Sequence, residues 1–434
     1  MRFTSKILLV VALSLTSVVA ALGSGFQLFE QGGKAVAMGG AFAATADDPS
    51  ALYYNPAGLA QQRRARILVG GTAISFTNQF TGDPNDEFTA GTTGHYRRHI
   101  FVPPNAYAVV PIGSNLTFGI GMMTPFGLRT NWANPWIGRF QASDSNVKTV
   151  EIEPALAWQT SDGRFALGGG PTYRRSHIVL QRNNAFPGSG VDPFTGRIVD
   201  VANVWLNSDW NSAWGWNLGV MWKPSDALHV GASYRSQMDI NYTGEAVFTQ
   251  ISTGNPQLDA LVKAGLPPNQ PITTKIPYPA TMLLGVSTGV IPNWTIEADI
   301  DRTTWSRFKA LDVNFSQTPA NNLHRPENWK DTTAYRLGAN HPVTQNWDVR
   351  FGLLYDENPQ PTYAVSALLP DANRKGVTFG AGYHGGPWIV DWTVFVLHFD
   401  TRGTFGQSQE GLNGSFKTDA TLMSLNFGYR FGAR

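Results

Sequence analysis

The feature that most constrains this chain is a two-residue alternation of apolar with small or polar side chains, which recurs along most of its length. It is clearest in residues 115–122, 294–301 and 347–355, where the residues between the apolar ones are mostly Thr, Gly, Asp, Glu or Arg. A β-strand points successive side chains to opposite faces, so the pattern predicts strands with one apolar face. Alternation alone suits a soluble β-sandwich as well as a transmembrane barrel.

The lengths of the connections between these segments favour the barrel. Short turns are predicted at residues 111–114, 161–163, 224–226, 291–293, 342–345 and 385–387. Long polar connections lie near residues 79–97, 125–146, 182–201, 244–271, 315–328, 358–373 and 403–415. Bacterial outer-membrane barrels combine short periplasmic turns, long extracellular loops and an even number of antiparallel strands. We therefore predict an all-β fold, a 14-stranded antiparallel transmembrane β-barrel in the bacterial cell outer membrane.

Two side-chain patterns extend this prediction. Trp294, Trp347 and Trp388 each follow a predicted short turn, where the aromatic girdle of such a barrel lies. Core positions for these tryptophans are the alternative. Glu297 and Asp299 share the polar face of one predicted strand, so we expect them in a watered lumen.

Composition excludes several other classes of protein. The 434 residues carry a formal net charge of +2, without the basic excess of a nucleic-acid-binding protein. Cysteine is absent, so disulfides and thiolate metal sites are excluded. No stretch after residue 23 approaches the roughly 18 apolar residues that a transmembrane helix needs. The eight histidines are scattered and no paired metal-ligand spacing stands out, so we expect no enzyme activity, no cofactor and no metal site.

The N-terminus reads as a secretory signal peptide. Arg2 and Lys6 form a basic region, residues 7–19 an apolar region, and residues 21–23 a small-x-small cleavage site. We expect residues 1–23 to be removed and the exported chain to begin at Ser24. An uncleaved membrane anchor is the weaker alternative, because the apolar run is short for a span.

Residues 24–64 do not alternate. They are rich in Ala and Gly and contain the turn-forming sequence Asn55-Pro56-Ala57-Gly58, which indicates short helices and turns. A segment too small to hold its own core is most economically housed inside the barrel, as a hatch that plugs it. A periplasmic tail is the alternative. The predicted division is therefore signal peptide 1–23, hatch 24–64 and barrel 65–434.

Motifs along almost the whole exported chain resemble the FadL-type outer-membrane transporters of long-chain fatty acids. The similar segments are residues 24–30, 37–41, 47–59, 125–128, 136–139, 305–308, 327–331 and 369–374. The resemblance implies a 14-stranded barrel whose hatch carries the turn Asn55, Pro56 and Ala57. It also implies an extracellular capture groove, a lumenal pocket beside the N-terminus, and exit through a kink in the third strand, near residues 119–123.

Candidate ligand contacts follow from the apolar content of the loop at residues 124–146 and from the chain start. The candidates are Phe26, Phe126, Leu128, Trp132, Trp136, Arg139 and Arg350. Guanidinium groups bind carboxylates in a bidentate fork, so Arg139, Arg129 or Arg350 can meet a fatty-acid head group. Lipopolysaccharide phosphates or neighbouring acids are alternative partners of these arginines. Apolar residues on inward faces, such as Met123 and Leu354, suit either a ligand path or packing against the hatch.

Four residues are candidates for an opening in the barrel wall. Pro103 and Pro104 cannot donate to a strand ladder, and Gly119 and Gly121 interrupt the next predicted strand. Prolines that merely lie near a strand end are the alternative interpretation.

We therefore predict passive transport of hydrophobic small molecules, with long-chain fatty acids as the first expectation. Aromatic hydrocarbons are the alternative substrates, and a general porin or a surface adhesin is the alternative function. The expected partners are the hydrophobic ligand, outer-membrane lipid with lipopolysaccharide, and the barrel-assembly machinery during insertion. We expect a monomer and no nucleic-acid partner.

Overall fold

Fourteen strands close into one antiparallel barrel in the computed structural model, which describes residues 25–185 and 198–432. Each strand pairs with the next along the chain, and the last pairs with the first from Arg66–Arg430 to Gly82–Gly414. The predicted fold class is confirmed. The strands are β1 Arg66–Gly82, β2 Pro104–Pro111, β3 Leu116–Met123, β4 Asp144–Gln159, β5 Phe165–Ala185, β6 Asn211–Ser225, β7 Leu228–Arg235, β8 Thr281–Thr288, β9 Thr295–Thr303, β10 Thr332–Pro342, β11 Trp347–Asp356, β12 Arg374–Tyr383, β13 Trp388–Phe399 and β14 Gly414–Arg430.

All six predicted short turns join consecutive barrel strands, from β2–β3 to β12–β13, at the end that the topology makes periplasmic. The signal peptide prediction for residues 1–23 lies outside the described residues. Of the predicted girdle, Trp347 and Trp388 are exposed on the outer surface, whereas Trp294 is half-buried and stacks on His341, with ring centroids 4.6 Å apart.

The prediction of irregular loops at the extracellular end is wrong for much of the chain. Residues near 200, 244, 270 and 323 belong to additional strands, which pair in order and continue the wall outward from β5. Apolar residues on their inner faces, such as Ile272 and Val313, supply the burial that makes these strands stable. The additional strands are Thr93–His95, Ile100–Phe101, Gly127–Asn131, Asp200–Ser208, Met238–Gln250, Gln270–Tyr278, Ala310–Phe315, Leu323–Pro326 and Arg402–Gly403.

The N-terminal segment lies inside the barrel, where it is buried almost throughout. Its helices are α1 Gly33–Ala37 and α2 Ala51–Tyr54, followed by a 3-10 helix Pro56–Gln61. Beyond the hatch lie α3 Pro256–Gly265 and 3-10 turns at Ile137–Phe140, Trp305–Arg307, Pro319–Asn321 and Thr362–Ala364. Among the described helices, none is both long and apolar enough to cross a membrane.

Carboxylates of β9 bind the hatch instead of water, which corrects the expectation of a watered lumen at these positions. Asp299 Oδ2 accepts hydrogen bonds from the backbone N–H groups of Phe42 and Ala43, at 2.8 and 2.9 Å. Glu297 accepts from the N–H groups of Ala44 and Thr45, at 2.7 and 2.9 Å. These two side chains therefore satisfy four buried backbone donors that form no helix or sheet.

The turn predicted at Asn55 also joins the hatch to the wall. Asn55 Nδ2 donates to the carbonyl oxygen of Ala43 at 2.7 Å and to that of Val220 on β6 at 3.1 Å. Its Oδ1 accepts from the N–H of Ala57 at 3.1 Å and so caps the 3-10 helix. A side chain at Gly219 would overlap Asn55 Oδ1, which explains the glycine there.

Candidate functional site

A cavity of about 110 Å³ lies above the hatch and is almost wholly apolar; we call it the middle cavity. The extracellular extension of the wall supplies much of its lining, because strands Gln270–Tyr278 and Ala310–Phe315 turn apolar side chains inward. Its lining includes Phe26, Leu128, Ile178, Leu180, Ile272, Ile276, Tyr278, Leu311, Val313, Arg325, Trp329, Leu368 and Leu369.

A larger cavity of about 600 Å³ lies further outward, and we call it the outer cavity. It is lined partly by α3 and contains polar as well as apolar side chains. The two cavities are adjacent, because they share the lining residues Leu180, Leu206, Leu311, Arg325 and Leu368.

Arg325 lies at the junction of these two cavities and is only 3% exposed. Its Nη2 donates to the carbonyl oxygen of Ala364 at 3.0 Å, and its Nε lies 3.5 Å from a carboxylate oxygen of Glu327 and of Glu410. Burial raises the pKa of Glu327, whose other oxygen accepts from the indole N–H of Trp329 at 2.8 Å. Both carboxylates are too far from Nε for a good hydrogen bond, so this buried donor of Arg325 has no hydrogen-bond partner among the described residues.

Phe26 closes the inner end of the middle cavity. Its ring lies 4.9 Å from that of Trp305, 5.8 Å from that of Phe126 and 6.1 Å from that of Trp329, measured between centroids. The preceding backbone is fixed by Asp371, because the N–H of Gly25 donates to Asp371 Oδ2 at 2.8 Å.

Asp371 is itself buried in an extracellular excursion. Burial raises the pKa of Asp371 to about 7, and the nearby Arg374 guanidinium opposes that shift. The carboxyl that holds the N-terminus therefore titrates near neutral pH.

Behind Phe26 lies a third cavity of about 80 Å³, the inner cavity. The middle and inner cavities share three lining residues, which are Phe26, Leu128 and Leu369. The inner cavity is also lined by Leu28, Phe76, Tyr96, Phe101, Gly127, Arg129, Asp371, Arg374 and Phe399.

The barrel wall beside the inner cavity is interrupted. On its extracellular side, Arg97 N–H donates to Asn131 O at 2.7 Å, and on its periplasmic side the β2–β3 ladder ends at the pair Ala106–Met122. Between these points no strand pairing joins residues 98–103 to residues 124–130, all of which are described. The register of the chain against β4 also shifts by one residue after Met123, which marks a bulge at residues 124–126.

The candidates for the wall opening fall at different places. Pro103 and Pro104 lie at the edge of the interruption, where Pro104 begins β2. Gly119 and Gly121 do not interrupt a strand, because both are paired with β2 and with β4. A side chain at Gly119 would lie 2.9 Å from Leu59 of the hatch, so close packing against the hatch explains that glycine.

The predicted apolar contacts separate into two groups. Phe26 and Leu128 line the cavities, with Phe126 packed beside Phe26. Trp132 and Trp136 line none of the three cavities; they stack on each other, with centroids 3.9 Å apart, in an extracellular cluster with Phe80 and Phe416.

Met123 and Leu354 each pack in a hydrophobic cluster that contains hatch residues. This is the arrangement expected if these inward residues pack against the hatch.

The predicted arginines are already paired. Arg139 Nε lies 2.7 Å from Asp200, and Arg129 Nη2 lies 2.7 Å from Asp144. Arg350 faces the periplasmic end, where it binds Asp391 and, at 2.8 Å, Asp348.

Sequence reasoning missed Arg325 as a cavity residue, along with the inner faces of the extracellular strands. The signal in the sequence was the alternation of Ile272, Ile276 and Tyr278, which continues beyond the predicted membrane span. Among the described residues, no group of three His, Asp or Glu side chains is placed to hold a metal ion.

The closed barrel, its internal hatch and the cavities above that hatch define a plugged outer-membrane channel protein. The chain belongs to the family described as outer membrane protein transport protein (OMPP1/FadL/TodX), whose model matches residues 12–431. It is therefore an outer-membrane transport protein and not an enzyme, and the predicted family resemblance is confirmed.

Individual proteins resemble the chain over almost its whole length. The long-chain fatty acid transport protein of Escherichia coli O6:H1 (strain CFT073) is 23% identical, with 98% of each chain covered. The crystal structure of a Pseudomonas aeruginosa FadL homologue has a TM-score of 0.81 at 21% identity, covering 94% of this chain and 100% of that one. The Ralstonia pickettii toluene transporter TbuX has a TM-score of 0.69 at 18% identity, with coverages of 93% and 99%.

Proposed function

We propose that this protein moves long-chain fatty acids across the outer membrane by diffusion. The ligand enters the outer cavity, settles in the middle cavity, passes Phe26 into the inner cavity and leaves sideways through the interruption in the wall. The observation that carries this proposal is the series of adjacent cavities, almost wholly apolar at the middle one, that lies between the extracellular end and that interruption.

The acid head group is proposed to bind Arg325. A carboxylate in an apolar cavity is costly unless it meets a cation or hydrogen-bond donors. Arg325 supports this assignment because it is buried at the junction of the two cavities and its Nε–H has no hydrogen-bond partner in the part of the chain that the structure describes. With the head group there, the acyl chain can lie along the apolar lining of the middle cavity. The similarity to a curated long-chain fatty acid transport protein points to the same substrate class.

Aromatic hydrocarbons are the second candidate substrates. The apolar lining would accept them, and the fold is shared with a toluene transporter. A neutral hydrocarbon, however, gives the buried Arg325 no function. The arginine therefore favours the acid.

Release is proposed to require movement of the N-terminus. Phe26 separates the middle from the inner cavity, and the Asp371–Gly25 hydrogen bond holds it in place. The lateral exit is proposed at residues 98–103 and 124–130, beside Pro103. Gly119 and Gly121, which are paired with the strands on both sides, lie on the periplasmic side of this exit.

The remaining expectations stay part of the proposal. They are removal of residues 1–23 on export, contact of the outer surface with membrane lipid and lipopolysaccharide, insertion by the barrel-assembly machinery, and a monomeric state.

Liposomes that contain the refolded protein test the proposal. Uptake of labelled oleate and of toluene would be measured with the wild type, Arg325→Gln and Arg325→Lys, with bilayer conductance recorded on the same preparations. We expect oleate uptake with negligible ion conductance, loss of oleate binding in Arg325→Gln, and partial rescue by Arg325→Lys. Uptake of toluene but not of oleate would show that the substrate is an aromatic hydrocarbon. High conductance without uptake of either compound would show that the protein is a porin.

A further inference from the structure

A second arginine lies in the inner cavity, beyond Phe26. Arg374 begins β12, is 7% exposed, and contributes to the lining of that cavity. Its Nε donates to Asp356 Oδ2 at 2.8 Å, and its Nη2 lies 2.7 Å from the same oxygen. Asp356 therefore orients the guanidinium through Nε and Nη2. It makes no such contact with the third nitrogen, Nη1.

We propose that Arg374 is a second binding station for the carboxylate of an acidic amphiphile, which takes over the head group from Arg325 before lateral exit. This inference rests on the proposed fatty-acid transport and extends it to the selectivity of the second step.

The physical argument is the cost of an unpaired charge. A carboxylate that leaves Arg325 for an apolar cavity without a cation would face a barrier that a neutral molecule does not meet. The inner cavity supplies apolar surface from Leu28, Phe101 and Phe399 for the chain, and Arg374 for the head group. Asp371 lines the same cavity, but burial raises its pKa to about 7, so its repulsion of the ligand is reduced below neutral pH.

Arg129 also lines the inner cavity, but it is a weaker candidate. Its guanidinium is about one-third exposed and pairs with Asp144 at 2.7 Å on an extracellular strand. Screening by water lowers the value of an exposed cation to a buried carboxylate. The deeply buried Arg374 is the better placed of the two.

The test compares uptake of oleate with that of oleyl alcohol, which has the same chain and no charge, in liposomes containing Arg374→Gln. We expect oleate uptake to fall about tenfold to a hundredfold, the factor that loss of one charge-assisted hydrogen bond gives, while equilibrium oleate binding and oleyl alcohol uptake stay near the wild-type values. Arg374→Lys should restore part of the oleate uptake. The matched control is Arg336→Gln, because Arg336 lies 3.4 Å from the same Asp356 but does not line the inner cavity.

Several outcomes would overturn the inference. These are unchanged oleate uptake in Arg374→Gln, an equal loss of both substrates in Arg374→Gln and Arg336→Gln, or a selective loss only in Arg129→Gln. If the single variant does not fold, Arg374→Gln/Asp356→Asn removes both charges of the pair and gives the same comparison. A wild type that neither binds nor transports oleate would instead refute the proposed function itself.

Discussion

Removal of the Asp299 carboxylate is predicted to loosen the hatch without opening the barrel. Asp299→Ala leaves the N–H groups of Phe42 and Ala43 buried without acceptors, while the β9 backbone keeps its ladders to β8 and β10. An unsatisfied buried donor costs about 1–3 kcal/mol, so the docked hatch should lose about 2–6 kcal/mol. That loss increases the local opening constant by roughly 30-fold to 20,000-fold.

Native-state hydrogen exchange measures this opening directly. The informative amides are those of Ala46 and Asn55, because they bond to Phe42 O and Ala51 O within the hatch and not to Asp299. The exchange rates of these amides should increase by the same factor as the opening constant. Bilayer conductance should also rise, because a loosened hatch lets ions into the lumen. Arg302→Gln is the control, since Arg302 lies on the outer face of the same strand. Exchange rates and conductance equal to those of the wild type would refute the assignment of Asp299 as a hatch clamp.

Three further predictions concern the passage and the hatch. Phe26→Ala should raise the rate of oleate uptake several-fold because it removes the partition between two cavities; a slower rate would contradict this partition. Ionisation of Asp371, whose pKa burial raises to about 7, destabilises the site as pH rises from about 4 to 7. The protection factor of the Gly25 amide, which compares its exchange rate with that of an unstructured amide, should therefore fall over that window in the wild type and stay constant in Asp371→Asn; an equal fall in the variant would contradict this. Gly352→Ala should cost about 1–3 kcal/mol by overpacking the hatch backbone, whereas a methyl group at Gly289 would meet only the carbonyl oxygen of Trp294, at 3.9 Å; equal thermal stabilities of Gly352→Ala and Gly289→Ala would disprove the close contact.

The barrel was predictable because its strands need only local alternation and turn chemistry. The facing of residues 347–355, for example, follows from period two alone and is confirmed: Phe351 and Leu353 point outward, and Asp348 and Arg350 inward. The hatch was predictable for the opposite reason, since residues 24–64 show no period at all. Both predictions rest on patterns among residues that are close together in the sequence, so a single sequence is enough to make them.

The environment of the inward positions was not predictable in this way. Asp299 binds the backbone of Ala43, which lies 256 residues earlier in the chain, so nothing near Asp299 distinguishes a hatch contact from a water contact. The cluster that holds Trp132 and Trp136 could not be predicted for a related reason, because the apolar residues of a loop can be buried either by a ligand or by distant residues such as Phe416. Arg325 was missed because its excursion contained strands that were taken for a loop.

Strand β11 shows how the inward residues change from the periplasmic end of the lumen to its outer part. From the periplasmic turn outward, the inward positions of β11 are charged at Asp348 and Arg350, glycine at Gly352, apolar at Leu354, and charged again at Asp356, which pairs with Arg374. The first two charged positions face a polar cavity at the periplasmic mouth, the glycine admits the hatch backbone, and the leucine packs with Leu28 of the hatch below the inner cavity. Depth along a strand therefore decides the chemistry of an inward residue as much as its facing does. Polar contacts seal the lower lumen, so in the proposed route apolar solutes that enter from outside meet a closed floor and would leave sideways through the interruption in the wall.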